Sequence, residues 1–251
     1  GVMRLVEVAL ENFRGYGPRT VLPIDDLTVL VGKNDSGKST ILEALNIALA
    51  DGKADPSDIH VRAPASGGEM RIECAFADLP TTLTLDASSA TSLESEYLVD
   101  DDGRLRLCWA HSIAGDATDR KLGKPQVRVI ARHPAAEGLR DLHGKKNTDL
   151  KKLVTAAGIE AQCDMNNNAS MRQALWSKAR DAGELTFEQA ELELSKEDGK
   201  SILAQVQAAL PMFVLFRADR PSTDQDAEVQ DPMKVAVRTA LEELRVEVDA
   251  I

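Results

Sequence analysis

Apolar and polar side chains alternate along residues 3–13, a period of two that predicts a strand. Arg14-Gly15-Tyr16-Gly17-Pro18 is turn chemistry, and residues 19–24 predict a second strand returning as a hairpin. Over residues 27–31 the alternation disappears into an apolar run with β-branched members, the pattern of a strand covered on both faces. Residues 32–37 read as a loop bounded by glycines. From residue 38 to about 50 the period lengthens to that of a helix. Ile41, Leu42, Leu45, Ile47, Ala48 and Leu49 supply its apolar face, and Asp51-Gly52 ends it.

Residues 70–76 alternate again. Stretches 82–85, 97–99, 105–109 and 127–131 predict further short strands, with Asp101-Asp102-Gly103 as a hairpin turn and 86–95 as a mobile connection. From about residue 139 the texture turns helical. Thr148 is the expected cap of a helix stopped at Gly158. Asn166 to Asn168 open a second, carrying Met171, Leu175 and Trp176 and ending at Gly183, and Ser195 caps a third bearing Ile202, Leu203 and Val206. Pro211 introduces a buried-strand candidate at 212–216, and a charged loop follows over 217–230. Asp231-Pro232 starts a last helix with Met233, Val237, Leu241, Leu244 and Val248 in one stripe, a core helix or the start of a coil. That helix still runs at Ile251, which reads as a cut through a longer domain.

Five units are expected: a core over 1–52, an antiparallel β subdomain over 53–135 and a helical subdomain over 136–210. A strand and following loop over 211–232 and the start of a helical arm or dimerisation insertion over 233–251 complete the chain.

Composition narrows the class. With 43% hydrophobic and 28% charged residues the chain folds around a core, and no apolar run is long enough to cross a bilayer. The N-terminus lacks the apolar segment of a secretory signal, and Cys74, Cys108 and Cys163 lie far apart without metal-type spacing, so a reducing cytoplasm is expected. A net charge of −11 argues against wrapping of nucleic acid by the whole chain, and two Trp, two Tyr and five Phe are too few for a single-strand stacking platform. Lys145, Lys146, Lys151 and Lys152 form a local basic cluster, a contact for DNA phosphates or, more commonly, a solvated helix face. Trp109 and Trp176 read as core, and the four histidines as scattered.

One motif carries chemistry. Gly32-Lys33-Asn34-Asp35-Ser36-Gly37-Lys38-Ser39 completes the pattern G-x-x-x-x-G-K-[ST] between a strand and a helix. Its glycines let successive backbone N–H groups point inward at phosphate oxygens, and the helix N-terminus adds positive potential. Lys38 is placed for the β- and γ-phosphates, and the Ser39 hydroxyl for Mg²⁺. ATP and Mg²⁺ are therefore the expected ligands, and the expected fold class is α/β, a P-loop NTPase with antiparallel β and helical subdomains. A guanine-reading Asn-Lys-x-Asp is absent, and an Arg-rich kinase lid is represented only by Arg217 and Arg220.

Residues 5–16, with Asn12-Phe13-Arg14-Gly15-Tyr16 at their end, and residues 26–45 around the motif resemble the start of an ABC-type ATPase head. The likeness is to the RecF/SMC-like group, and within it to the OLD (overcoming lysogenization defect) family, often fused to a Toprim nuclease. Residues 210–220 and 228–233 are similar to a later part of the same lobe. The resemblance implies that Arg14 lies beside the phosphates, that Asn34 sits near the γ-phosphate facing a partner head, and that Thr40 flanks the α-phosphate. It implies ATP hydrolysis between two heads of a homodimer, driving a DNA-directed machine, plausibly an anti-phage endonuclease or a repair enzyme, with no membrane role.

The sequence also departs from that pattern. Arg217 directly follows the strand where a Gln-bearing loop belongs, leaving Gln225 and Gln230 as later candidates. Ser66-Gly67-Gly68-Glu69 imitates an ABC signature but leads into a strand, and reads as a loop. No apolar run ends in the Asp-Glu pair of a Walker B strand; Asp100-Asp101 is a turn. The acid and the signature are expected from a missing C-terminal half or a partner subunit, without which the fragment would be inactive. The alternatives are a nucleotide-gated interaction module without hydrolysis and a P-loop small-molecule kinase.

Overall fold

The computed structural model describes residues 2–25, 38–86 and 89–215, and for Lys38 and Asp86 the backbone alone. In chain order its elements are β1 (Arg4–Glu11), β2 (Thr20–Pro23), α1 (Lys38–Leu49), β3 (Glu69–Ala77), β4 (Leu83–Asp86), β5 (Ser89–Thr91), β6 (Leu105–Gly115), β7 (Arg120–Leu122), β8 (Gln126–Pro134), α2 (Asn147–Ala157), α3 (Asn168–Asp181), β9 (Phe187–Leu192) and α4 (Glu197–Ala208). One antiparallel sheet runs β2-β1-β3-β6-β8-β9, with β7 paired to the far end of β6, while β4 and β5 form a separate hairpin. Strands on either side of residue 52 therefore share one sheet, and so does β9, which lies within the stretch expected to be helical.

The alternating sequence explains the two faces of this sheet. Pairing places Val8 opposite Cys74, Cys74 opposite Leu107, Leu107 opposite Val129 and Val129 opposite Leu192, a continuous buried apolar row. Burying each aliphatic side chain of that row contributes about 1.5–3 kcal/mol relative to exposure. The opposite face carries Glu7, Glu11, Arg71, Glu73, Arg106, Arg128 and Glu191, joined by ion pairs such as Arg106–Glu7 at 2.6 Å and Arg128–Glu69 at 2.7 Å. Helix α1 covers the apolar face: Ile41, Ala44, Leu45, Ile47 and Ala48 are buried in the same core as Val8, Leu10 and Phe13, at the spacing of one helical face. Ile202 and Val206 of α4 join that core. Helices α2 and α3 build a second core from Leu150, Val154, Met171, Leu175 and Trp176.

The first hairpin, α1 and the strands at 70–76, 105–109 and 127–131 form as the pattern predicts, several of them longer than expected. Four expectations need correction. Residues 97–99 are a turn: Tyr97 has φ +54°, and the Leu98 N–H bonds back to Leu93 O, so Leu98 is buried by a bend and not by a ladder. Residues 86–95, expected as a mobile connection, contain the β4–β5 pairing. The N-caps of α2 and α4 are Lys146 and Lys196, one residue from the expected Thr148 and Ser195 or two, and neither offers a side-chain cap bond. Residues 211–215 form no strand, and Met212 stays 60% exposed. Helix α3 does begin as expected, with the Asn167 side chain accepting the Ser170 N–H, and Gly158 closes α2 at φ +66°.

Candidate functional site

After β1 the chain bends through Asn12 and Arg14, both in the left-handed region at φ +53° and +48°. The bend is fixed from several sides. Asn12 N–H donates to Gly17 O, its Nδ2 donates to Glu69 O, and Phe13 bridges to both Tyr16 and Ile59. Phe13 is fully buried in the core that holds Ile41 and Ile59, which anchors the turn beside the layer containing α1.

Arg14 is held twice by Asp58. Its backbone N–H donates to Asp58 O at 2.6 Å, and its Nε donates to Asp58 Oδ1 at 2.8 Å. Asp58 closes a single-turn 3-10 helix (Pro56–Asp58) built as a capping box. Asp55 Oδ1 accepts the Ser57 N–H, and Asp58 Oδ2 accepts the Asp55 N–H at 2.8 Å. Asp58 is buried, while the Arg14 side chain is 35% exposed, with its guanidinium 5.5 Å from the centre of the Phe13 ring. Among the described residues its Nη1 and Nη2 groups have no hydrogen-bond partner. Arg120 of β7 clamps the following loop, donating to His60 O and Ala63 O at 2.8 Å each.

Lys38, Ser39 and Thr40 form the first turn of α1, which carries no acidic residue. Ser39 is exposed and Thr40 is buried. Gly32, Lys33, Asn34, Asp35, Ser36 and Gly37 lie outside the described residues, as do the strand expected at 27–31, Gln225, Gln230 and the helix after Pro232. The structure thus places Arg14 on one rigid turn and Ser39 and Thr40 on another element of the same core. Ser66 to Gly68 form a loop before β3, and Asp101 to Gly103 form a turn.

A second set of polar groups was not visible as a group in the sequence. Glu96, Arg172, His133 and His143 are all buried. Arg172 donates Nε to Glu96 Oε2 (2.8 Å), Nη2 to Glu96 Oε1 (2.9 Å) and Nη1 to Asp198 Oδ2 (2.6 Å), and Thr91 Oγ1 adds a 2.6 Å bond to Glu96. His143 Nε2 lies 3.0 Å from Glu96 Oε2, and the His133 ring is centred 5.4 Å from that of His143. Burial alone would raise the Glu96 pKa, but the close approach of His143 and the bonds from Arg172 outweigh it and hold the carboxyl down at about 2. Burial pushes His133 down to about 4, against the partly opposing bond to Tyr97 O. Among the described residues no group of three or more His, Cys, Asp or Glu is placed to hold a metal ion. No helix of the described residues is long and apolar enough to cross a membrane.

Asp58 is the residue that sequence reasoning passed over. Its signal was Asp55-Pro56-Ser57-Asp58, a cap, a proline at the first helical position and an acid closing the box.

A mixed α/β fold, with an antiparallel sheet, helices and a complete G-x-x-x-x-G-K-S motif leading into α1, defines a P-loop NTPase. The chain belongs to the AAA ATPase domain family, whose model matches residues 3–248. No curated protein matches it significantly. Among solved structures, the SMC head domain from Thermotoga maritima is similar at 17% identity, over 90% of this chain and 82% of that one, with a TM-score of 0.32. A structure from work on ATP-driven dimerization and DNA-stimulated activation of SMC ATPases is similar at 15% identity, over 63% of this chain and 81% of that one, with a TM-score of 0.29.

Proposed function

We propose that this ATPase domain binds ATP–Mg²⁺ on the loop of residues 32–39 as the N-terminal lobe of an ABC-class head of the RecF/SMC/OLD type. The observation that carries the reading is the complete phosphate-binding motif directly ahead of α1, within a family match spanning nearly the whole chain. Backbone amides from Gly32 to Lys38 donate to phosphate oxygens, and Lys38 offsets the charge on the β- and γ-phosphates. Ser39 offers its hydroxyl oxygen to Mg²⁺. The fit is supported by its exposure and by a first helical turn free of carboxylates that would repel phosphate. Mg²⁺ held by the Ser39 hydroxyl would supply positive charge that offsets the charge developing on the phosphates. Thr40 flanks the α-phosphate, Asn34 lies near the γ-phosphate, and Arg14 offers its open Nη edge to the phosphates.

In the same reading the Walker B acid and the signature come from outside these 251 residues. Two heads pair across ATP as a homodimer, and hydrolysis drives a DNA-directed activity, with an anti-phage nuclease of the OLD type as the specific form. A second reading, nucleotide-gated binding without hydrolysis, is favoured by the lack of any apolar run ending in Asp-Glu in this sequence.

The test is thermal. Saturating ATP–Mg²⁺ at a hundred times its Kd stabilises the wild type by about 2.7 kcal/mol, a rise of several degrees in Tm. Lys38→Ala abolishes that rise. An unchanged shift in the variant contradicts the site.

A further inference from the structure

We propose that Asp58 is the positioning residue for Arg14, gripping the guanidinium by its Nε edge so that the Nη1/Nη2 edge is presented to a phosphate of bound ATP. The inference rests on the reading that Arg14 reaches the nucleotide. It deepens that reading by assigning the residue that makes the reach possible.

The grip is unusually complete for a side chain on a turn. One residue, Asp58, fixes Arg14 through both its main chain and its side chain, at 2.6 and 2.8 Å. Asp58 cannot swing away, because its second carboxylate oxygen is occupied by the Asp55 N–H and its side chain is only 8% exposed. Ile59 next to it bridges to Phe13, the neighbour of Arg14, and His60 N–H donates to Asn12 O, so the two turns are stitched together beside the ion pair. Among the described residues the forked pair of Nη groups has no partner, and its planar donors match two oxygens of one phosphate. An arginine already held in place loses less rotamer freedom on binding than one that is free.

Electrostatics alone predicts the opposite of positioning. Asp58 places a negative charge beside a cation meant for a triphosphate, so removing that charge should tighten ATP binding if Arg14 acts only as a point charge. If Asp58 positions the fork, removing the charge weakens binding.

The experiment is a double-mutant cycle on the Kd of ATP–Mg²⁺, measured by calorimetry on the whole chain. We expect Asp58→Asn to weaken binding by about tenfold, the scale of one oriented charged hydrogen bond. In an Arg14→Ala background the same change should add nothing, because a positioning residue has no effect once its client is gone. Equal or tighter ATP binding by Asp58→Asn overturns the proposal, as does a loss that persists in full in the Arg14→Ala background. Arg14→Lys keeps the charge and loses the two-edged geometry, and so tests the idea without touching Asp58. It should bind nearly as weakly as Arg14→Ala, and wild-type affinity overturns the proposal. If Arg14→Ala binds normally while Lys38→Ala does not bind, this inference fails and the nucleotide site stands. If Lys38→Ala also binds normally, the site itself fails.

Discussion

Two arginine–carboxylate pairs in this chain use the same chemistry to opposite ends. Arg172 is fully buried and spends its Nε and both Nη groups on Glu96 and Asp198. Arg14 is partly exposed and spends only Nε, leaving its Nη groups without a partner among the described residues. The contrast separates architecture from readiness to bind. A guanidinium with all three nitrogens engaged ties segments together: Arg172 joins the turn after β5 to the first turn of α4. One held by a single edge keeps its remaining donors for another partner. Counting the occupied edges of an arginine is therefore more informative than noting that it has a carboxylate partner.

The largest effect expected from this comparison is on stability. Arg172→Ala leaves Glu96 charged and buried, and should cost about 3–5 kcal/mol in denaturant unfolding, whereas Arg14→Ala should cost less, because the Arg14 side chain is 35% exposed and water can take its place beside Asp58. Similar costs at the two sites would show that Arg14 is as structural as Arg172.

Next comes acid. His133 has a folded pKa of about 4 against an ordinary 6.5, so it is held neutral in the native state. Its contribution is complete above pH 6.5 and is lost as pH falls towards 4, a drop of up to about 3 kcal/mol. Glu96, at about 2 against 4.5, adds a second loss between pH 4.5 and 2. Stability measured in steps from pH 7 to 4 should fall in the wild type and fall less steeply in His133→Gln, where buried His111, also held below its ordinary pKa by burial, still titrates. A wild-type profile that is already flat over that range would show that burial does not hold His133 neutral.

Much of the scaffold was legible because its periods are clean. Strand β1 alternates, α1 places Ile41, Leu45 and Ala48 on one face, and the loop motif announces the helix that follows. Strand β9 was illegible because Glu188, Gln189 and Glu191 dilute its pattern; Glu191 serves the charged face of the sheet, pairing with Arg71 and Arg128. Residues 97–99 looked like a strand because Tyr97, Leu98 and Val99 are apolar strand formers, but a bend at Tyr97 buries Leu98 instead. The helix starts at Lys146 and Lys196 were misjudged by a residue or two because their caps involve backbone and not side chains, with Asn147 instead bonding Asn168 of α3.

At the site, the positions of Lys38, Ser39 and Thr40 on a helix followed from local pattern. The partnership of Arg14 with Asp58 did not, since 44 residues separate them and only the folded turn brings them together. Arg172 and Glu96, 76 residues apart, were hidden for the same reason.

The most direct measurement is a crystal structure of the chain with a non-hydrolysable ATP analogue and Mg²⁺. We expect phosphate oxygens on the backbone amides of residues 32–38, with the Arg14 Nη groups within about 3 Å of one of them while Nε stays on Asp58. A nucleotide bound away from that loop would contradict the account, as would an Arg14 turned from Asp58 and from the phosphates.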